Sequence, residues 1–449
     1  MKGVLNLVLL FIGSVAVAHA QSTVEPYAHN PMTLQECLDR GLEKNFSIKM
    51  VKNREEFAAN NANPANAGLL PEVSLSASYT GNLHTQSSTE RETGVKTKEK
   101  NTFDGTVDAG INLGWTLFDG FNVWTNYKQL KMMQEQGELE TRLAVENYVS
   151  SLISSYYNFI QQRVRLNNYK HSMDLSRERL RVVEVTYHVG KFSQQDHLQA
   201  LVDFNADSTQ YMKQTEALNS SRIKLNEMMA NENVMEYICV KDTAIDINPH
   251  LSYDELWTSA QTVNASLLLA DKSTEIERAE YKKIMSRDYP YVRLNVGYGY
   301  TYNHFGRAAV SKRDNLGMNA GVTVGFKLFD GKRRMQKKNA ELNVEYAKLE
   351  AEDLKLSLKS EFNDFWQAYK NNNLILQSER RNLETTVANY DFAKLRYLAG
   401  DISGFEMREA QKNMLDAKER ILEAEYNTKM CEVSLMLLSG KIMEYLVRN

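Results

Sequence analysis

Histidine, cysteine and the acidic side chains are where chemistry would be sought first, and in this 449-residue chain they are scattered. The eight histidines form no His-Glu-x-x-His pair, no serine sits in a nucleophile elbow, and no glycine-rich phosphate loop follows a strand. His188, Asp196 and His197 are ligand types that a divalent metal accepts. They straddle a turn between two helices, however, and read as exposed residues of that turn. Cys37, Cys239 and Cys431 are odd in number, far apart and without paired spacing, so they read as buried thiols rather than as a disulfide framework or a zinc site. The expectation is a protein that is not an enzyme, with no catalytic residue, metal or cofactor.

Composition and the N-terminus set the compartment. Residues 1–20 carry Lys2, an apolar run from Val4 to Ala18 and the small-residue site Ala18-His19-Ala20, the pattern of a secretory signal peptide. Gln21 follows, so no lipoprotein cysteine is expected there. Removing Lys2 takes the formal charge from -3 to -3 - 1 = -4, too mild to suggest nucleic acid or an acidic ligand as a partner. No apolar run of helix-spanning length remains, so no transmembrane helix is expected.

The elements that would position any functional residue are very long. Lys332 to Ala399 is 68 residues without Gly or Pro, which predicts one unbroken helix over about 332–398. Phe362, Tyr369, Leu376, Leu383, Tyr390 and Tyr397 fall seven apart, as the seam of left-handed coiled helices requires. Subtracting 210 lands on Leu152, Phe159, Leu166, Met173, Leu180 and Tyr187, all large and apolar, within a second helix predicted over about 121–188. The chain therefore reads as a tandem repeat. Each helix breaks at a short turn, Gly190-Lys191-Phe192-Ser193 in the first and Gly400-Asp401-Ile402-Ser403 in the second, where glycine suits a left-handed helix end and serine the next cap. Return helices follow, to about Asn231 and to near Gly440.

Ahead of each long helix stand a shorter helix and two alternating segments. The shorter helices are predicted from a Thr33/Glu36 capping box to about Asn63, and from Asp254 to about Ser286. Strands are predicted over about 72–82 and 104–118, with a polar loop between them, and over about 291–302 and 317–329. Each strand has one apolar face and one of Gly, Ser, Asn and Thr. Four strands cannot close a barrel, so several chains must pool them. Segments of this length with aromatic-rich apolar faces fit a membrane barrel with water inside. Tyr79, Trp115, Tyr291 and Phe329 are placed near strand ends as interface aromatics. The predicted organisation is a first repeat over 21–230, a connector over 231–250, a second repeat over 251–440 and a tail over 441–449.

The doubled plan, the Leu-Phe-Asp-Gly at 117–120 and again at 328–331, and the Tyr187/Gly190/Ser193 and Tyr397/Gly400/Ser403 turns resemble the TolC-like outer-membrane efflux proteins. The resemblance covers about residues 33–440. It implies a mainly α protein with membrane β structure: a homotrimer whose 12-stranded β-barrel in outer-membrane lipid continues into a periplasmic α-helical barrel, with the connector in an equatorial belt. It implies an exit duct for a tripartite pump or type I secretion system, meeting a periplasmic adaptor and an inner-membrane pump. It places an acidic entrance ring on Glu406 and Glu409, a gate on Asp196 and Tyr397, and adaptor contact at the tips Gly190, Lys191, Phe192 and Ser193, and Gly400, Asp401, Ile402 and Ser403. The ring is Glu rather than Asp, and Ile402 stands where some members carry a gate arginine. The rival reading is a periplasmic coiled-coil adaptor or scaffold, which would explain the heptads but not the strands.

Overall fold

The computed structural model describes residues 31–306 and 310–444. The signal peptide read over residues 1–20 and the last five residues of the tail lie outside them.

Thr33 opens the first helix, α1 (Leu34–Lys44), with the reciprocal bonds of a capping box to Glu36. The sequence pattern suggested one helix to Asn63, but the chain breaks at Asn45. Its backbone is extended, and its side chain accepts from the Ser47 and Ile48 amides to start α2 (Phe46–Asn61). A short turn, α3 (Pro64–Ala67), and Gly68 in the left-handed region lead to the sheet. The second repeat breaks the same way. The helix expected from Asp254 to Ser286 is α6 (Tyr253–Val263) and α7 (Ala265–Ser286), with Asn264 capping the latter. An asparagine that satisfies orphan amides competes with helix continuation, and this is the local reason both predictions ran through a break.

The strands are β1 (Glu72–Thr89), β2 (Lys96–Phe118), β3 (Tyr291–His304) and β4 (Lys312–Gly325). They form one antiparallel sheet in the order β1-β2-β3-β4, so the two hairpins join side by side. Gly110 faces Gly299 across that junction, and a Cβ on Gly110 would come within 3.0 Å of the Gly299 Cα. Residues 82–103, expected to be loop, mostly continue the ladder, and only the tip around Glu90 to Val95 turns. Their polar side chains gave no apolar alternation, but a backbone ladder needs none. β4 ends at Gly325 rather than near Phe329 because its partner strand begins at Tyr291, just after Pro290, and offers nothing to pair with beyond that point.

Three of the interface aromatics are corrected. β1 runs on to Thr89, so Tyr79 lies mid-strand; Phe329 lies beyond the end of β4; and Tyr291, first in β3, lies on the polar face, against Gly325. Leu75, Ile111, Met318 and Val324 are more than half exposed along the other face, an apolar surface uncovered in the protomer.

The duplicated Leu-Phe-Asp-Gly motif is used in two ways. Gly120 (φ 70°) and Phe121 (φ 68°) are both left-handed ahead of α4 (Asn122–His188), with Asp119 accepting from the Val123 amide. Gly120 admits no side chain, since a Cβ there would overlap the Ser286 carbonyl. In the second copy Asp330 accepts from the Lys332 amide, and α8 (Gly331–Ala399) begins at the glycine itself. At 1.5 Å per residue each long helix spans about 100 Å. Gly137 within α4 lies where α2 crosses closely, with Ala58 3.2 Å from its missing Cβ.

Return helices α5 (Gln194–Met228) and α9 (Gly404–Leu438) pack antiparallel on α4 and α8. The apolar seams are buried as the heptads predict at Leu152, Phe159 and Met173, and at Phe362, Tyr369, Leu376, Tyr390 and Tyr397. The main core sits at mid-length, where Cys37, Leu38, Val149, Tyr156, Leu225, Phe362 and Leu435 are shielded from solvent. The connector is woven into it. Met32 bridges Val240 as a short parallel pair, Ile238 and Ile245 are buried, and Tyr156 donates to Asp242 at 2.8 Å.

Candidate functional site

At the end of the molecule far from the sheet the two turns are built alike. Gly190 (φ 78°) and Gly400 (φ 83°) end their helices, with amide bonds from Gly190 to Tyr187 and Lys191 to Thr186, and from Gly400 to Tyr397 and Asp401 to Arg396. Ser193 and Ser403 then cap the return helices. Asp196 accepts from the Ser193 amide (3.0 Å) and hydroxyl (2.7 Å); Glu406 accepts from the Ser403 amide (2.8 Å) and hydroxyl (3.0 Å). Asp196 and Glu406 are therefore the same residue of the repeat, 210 apart, each completing a capping box. The Ser403 backbone bond, then its hydroxyl, hold the Glu406 carboxyl below the usual carboxylate range.

The structure brings some of the predicted site residues together and separates others. Glu406 and Glu409 are both exposed and line one groove between α8 and α9, with Phe392, Arg396, Ile402 and Phe405. Tyr397 is buried in a small apolar cluster with Tyr390, Met407 and Met414, against which Ile402 packs, and its ring lies parallel to Phe192 at 6.3 Å. Burial pushes its hydroxyl above the ordinary tyrosine range. Asp196 puts its carboxylate into its own cap. Lys191 and Asp401 are exposed in the turns. His197 stacks on Tyr187 at 5.5 Å. Among the described residues no group of three His, Cys, Asp or Glu is placed to hold a metal ion.

Above the tip lies a polar network that the sequence reading missed. Arg408 on α9 reaches Asp207 on α5 with two bonds of 2.6 Å, one to each carboxylate oxygen. Ser176 on α4 also donates to Asp207, and Gln411 on α9 donates to the Ser172 carbonyl (3.1 Å) and the Ser176 hydroxyl (3.2 Å). Arg179 pairs with Asp203 at 2.5 Å beside it. The guanidinium of Arg179 is pulled down by burial, whereas the hydrogen bonds to Asp207 raise that of Arg408. The network ties the first helical pair to the second through a desolvated, two-pronged contact.

The signal for it was present in the repeat. The buried seam of α5 reads Ala200, Asp207, Gln214, Ser221, while 210 further on α9 carries Ala410, Ala417, Ala424, Cys431. A polar seam opposite an apolar copy of itself marks where the duplication was put to different use.

The sequence profile of the family described as "Outer membrane efflux protein" matches residues 37–231 and 256–441. No curated protein sequence matches the chain. Among solved structures the chain is similar to the Campylobacter jejuni CmeC outer membrane channel, with a TM-score of 0.75 at 18% identity, over 91% of this chain and 86% of that one. It is also similar to VceC of Vibrio cholerae, described as an outer membrane protein (TM-score 0.73, 15% identity, 91% and 96% covered). The open state of the Neisseria gonorrhoeae MtrE outer membrane channel is a third, with a TM-score of 0.70 at 12% identity, covering 91% and 89%.

Proposed function

The chain belongs to the family of outer membrane efflux proteins, and from that premise we propose how its protomer is assembled into a duct and how the duct is held shut. It is an outer-membrane channel with a long periplasmic portion, the passive exit for cargo delivered by a pump. We infer a homotrimer in which three four-stranded sheets close a 12-stranded barrel in outer-membrane lipid. Their long helices would continue as a periplasmic tube, and residues 231–250 would form the belt between the repeats 21–230 and 251–440.

One observation carries the assembly. Among the described residues the sheet has two unpaired edges, β1 and β4, and an exposed apolar face, and each long helix follows shortly after a strand. A scaffold in water would have no use for that face. The periplasmic tips, where helix ends are left open, are the expected contact for an adaptor that links the duct to an inner-membrane pump.

At the mouth, Glu406 and Glu409 from three chains would place six carboxylates around one axis and favour cations. Asp196 and Tyr397 would hold the neighbouring helix pairs together, beside the stack of Phe192 on Tyr397. Within each chain the Arg408–Asp207 contact supplies a tie where Ile402 offers none. Planar-bilayer recording tests the reading. The purified protein should conduct as a trimer, and Glu406→Gln with Glu409→Gln should abolish block by a trivalent cation. Tyr397→Phe with Asp196→Ala, and separately Asp207→Asn, should raise resting conductance. A folded monomer in detergent, or block that survives the glutamine pair, would defeat the corresponding part.

A further inference from the structure

Where the sheet meets the helices, far from the tips, a cavity of about 290 Å³ is lined by Arg287, Arg293, Lys327 and Arg333 against two carboxylates, Asp119 and Asp330. Four cations face two anions, and both anions are already engaged. Asp119 accepts from the Val123 amide and the Asn122 side chain, each at 3.1 Å, and Asp330 accepts from the Lys332 amide. The cations are less well served. Arg333 gives one nitrogen to Asp288 at 2.9 Å and leaves its Nε and second terminal nitrogen buried without an acceptor. Lys337 also bonds Asp288, so that carboxylate is shared between two cations. The Arg293 guanidinium lies 4.8 Å over the Tyr291 ring, a contact that leaves its edge donors open.

The side of the sheet on which this cavity opens follows from register. Arg293 alternates with Val292 and Leu294 and shares parity with Asn295 and Gly297, which pair with Gly321 and Asn319. Asn112, Asn295 and Asn319 together line a polar depression on that same face. Arg293 thus stands on the polar face of the sheet, opposite the one that carries Leu294, Val322 and Val324, and Lys327, two residues past the end of β4, lines the same cavity. Unpaired guanidinium nitrogens and an ammonium around a small cavity suit oxyanions bearing several charges, because such ligands accept charge-assisted bonds from several directions at once.

We propose that this cavity is a binding site for phosphate-bearing polyanions in transit through the channel, with Arg293 and Lys327 as the contacting residues and Arg333 as the buried donor behind them. The proposal rests on the reading that the polar face of the sheet lines the duct. It gives the duct two zones of opposite sign: carboxylates at the periplasmic mouth and cations at the entry to the barrel.

Inorganic tripolyphosphate is the probe. Added from the barrel side to single channels in a bilayer of zwitterionic lipid, it should block potassium chloride conductance. Arg293→Gln with Lys327→Gln should raise the half-blocking concentration by about tenfold or more, since each lost charged hydrogen bond weakens binding substantially. Neither side chain caps a helix. Arg293→Lys with Lys327→Arg, which keeps both charges, should restore block, and block by a trivalent cation at the far mouth should be unaffected. Equal block in wild type and the glutamine pair, or no block at all through a conducting channel, would overturn the site while leaving the duct intact. Absence of any conductance would overturn the duct and the site with it. Repeating the recording with phosphatidylglycerol in the bilayer separates the two sources of phosphate. Unchanged block supports a solute arriving through water, whereas block lost to the anionic lipid would assign the cavity to headgroups and overturn the transit role.

Discussion

Arg408 and Asp207 tie the two helical hairpins together. Their side chains are 23% and 11% exposed, so each is mostly withdrawn from water, and removing one leaves the other stranded. Breaking such a pair from one side costs about 3 kcal/mol or somewhat more, while replacing both partners costs less. Arg408→Leu and Asp207→Ala should therefore each lower the thermal midpoint of the detergent-solubilised protein, followed by circular dichroism, by more than the double variant does. Glu406 makes a separate, pH-dependent contribution. Its pKa is depressed in the fold, so its cap is at full strength above the unfolded carboxylate pKa and is lost as pH falls through the folded one. Protection of the Ser403 and Glu406 amides against hydrogen exchange, taken relative to the intrinsic rate at each pH, should hold above the ordinary carboxylate range and fall as pH drops through the depressed Glu406 pKa; Glu406→Gln should remove that change in protection. Much at this scale was legible. Ser193 with Asp196 and Ser403 with Glu406 are capping boxes on their face, though the family resemblance drew attention to a pore role instead. The repeat marked Asp207 as a polar residue on a seam whose copy is apolar, but its partners Arg408 and Ser176 were not legible, because they lie on two other helices and no spacing along the chain brings them together.

The helices and strands show why some boundaries were readable and others not. Long helices without breakers, a 210-residue repeat and glycines before serine caps placed α4, α5, α8 and α9 to within a few residues. The breaks at Asn45 and Asn264 were missed because an asparagine mid-pattern is a weak signal until its side chain is seen to accept the next helix's amides. Strand extents failed for the opposite reason. Pairing partners decide where a ladder stops, so β1 and β2 outran their apolar alternation and β4 stopped short of it. The tip turns offer the clearest test at this scale. Both Gly190 and Gly400 have positive φ and open space where a side chain would go, so a substitution meets backbone strain of about 1–2 kcal/mol but no clash. Gly190→Trp and Gly400→Trp should thus keep the assembled protein in outer-membrane fractions while abolishing export, measured as accumulation of a fluorescent efflux substrate. Export at the wild-type level in both variants would mean that the partner does not bear on the turns.

At the level of the whole molecule, the feature with the widest reach is the pair of unpaired sheet edges. A protomer with β1 and β4 open cannot rest alone in lipid, because each edge presents backbone donors and acceptors that hydrocarbon cannot satisfy. Subunits must then meet before or while they enter the membrane, and a ring once closed has no route by which to exchange a member. That has a genetic consequence. If the ring is the proposed trimer, a cell that makes a sound chain and a defective one in equal amounts will draw wholly sound rings in only about one case in eight. A Gly400→Trp chain that assembles but fails at the tip should behave as a dominant allele. Co-expressed with wild type at equal levels, it should cut export to near one eighth if one faulty subunit disables a ring, against one half if chains worked singly. The open edges therefore make inheritance at this locus collective: the phenotype of a copy is set by the company it keeps during assembly.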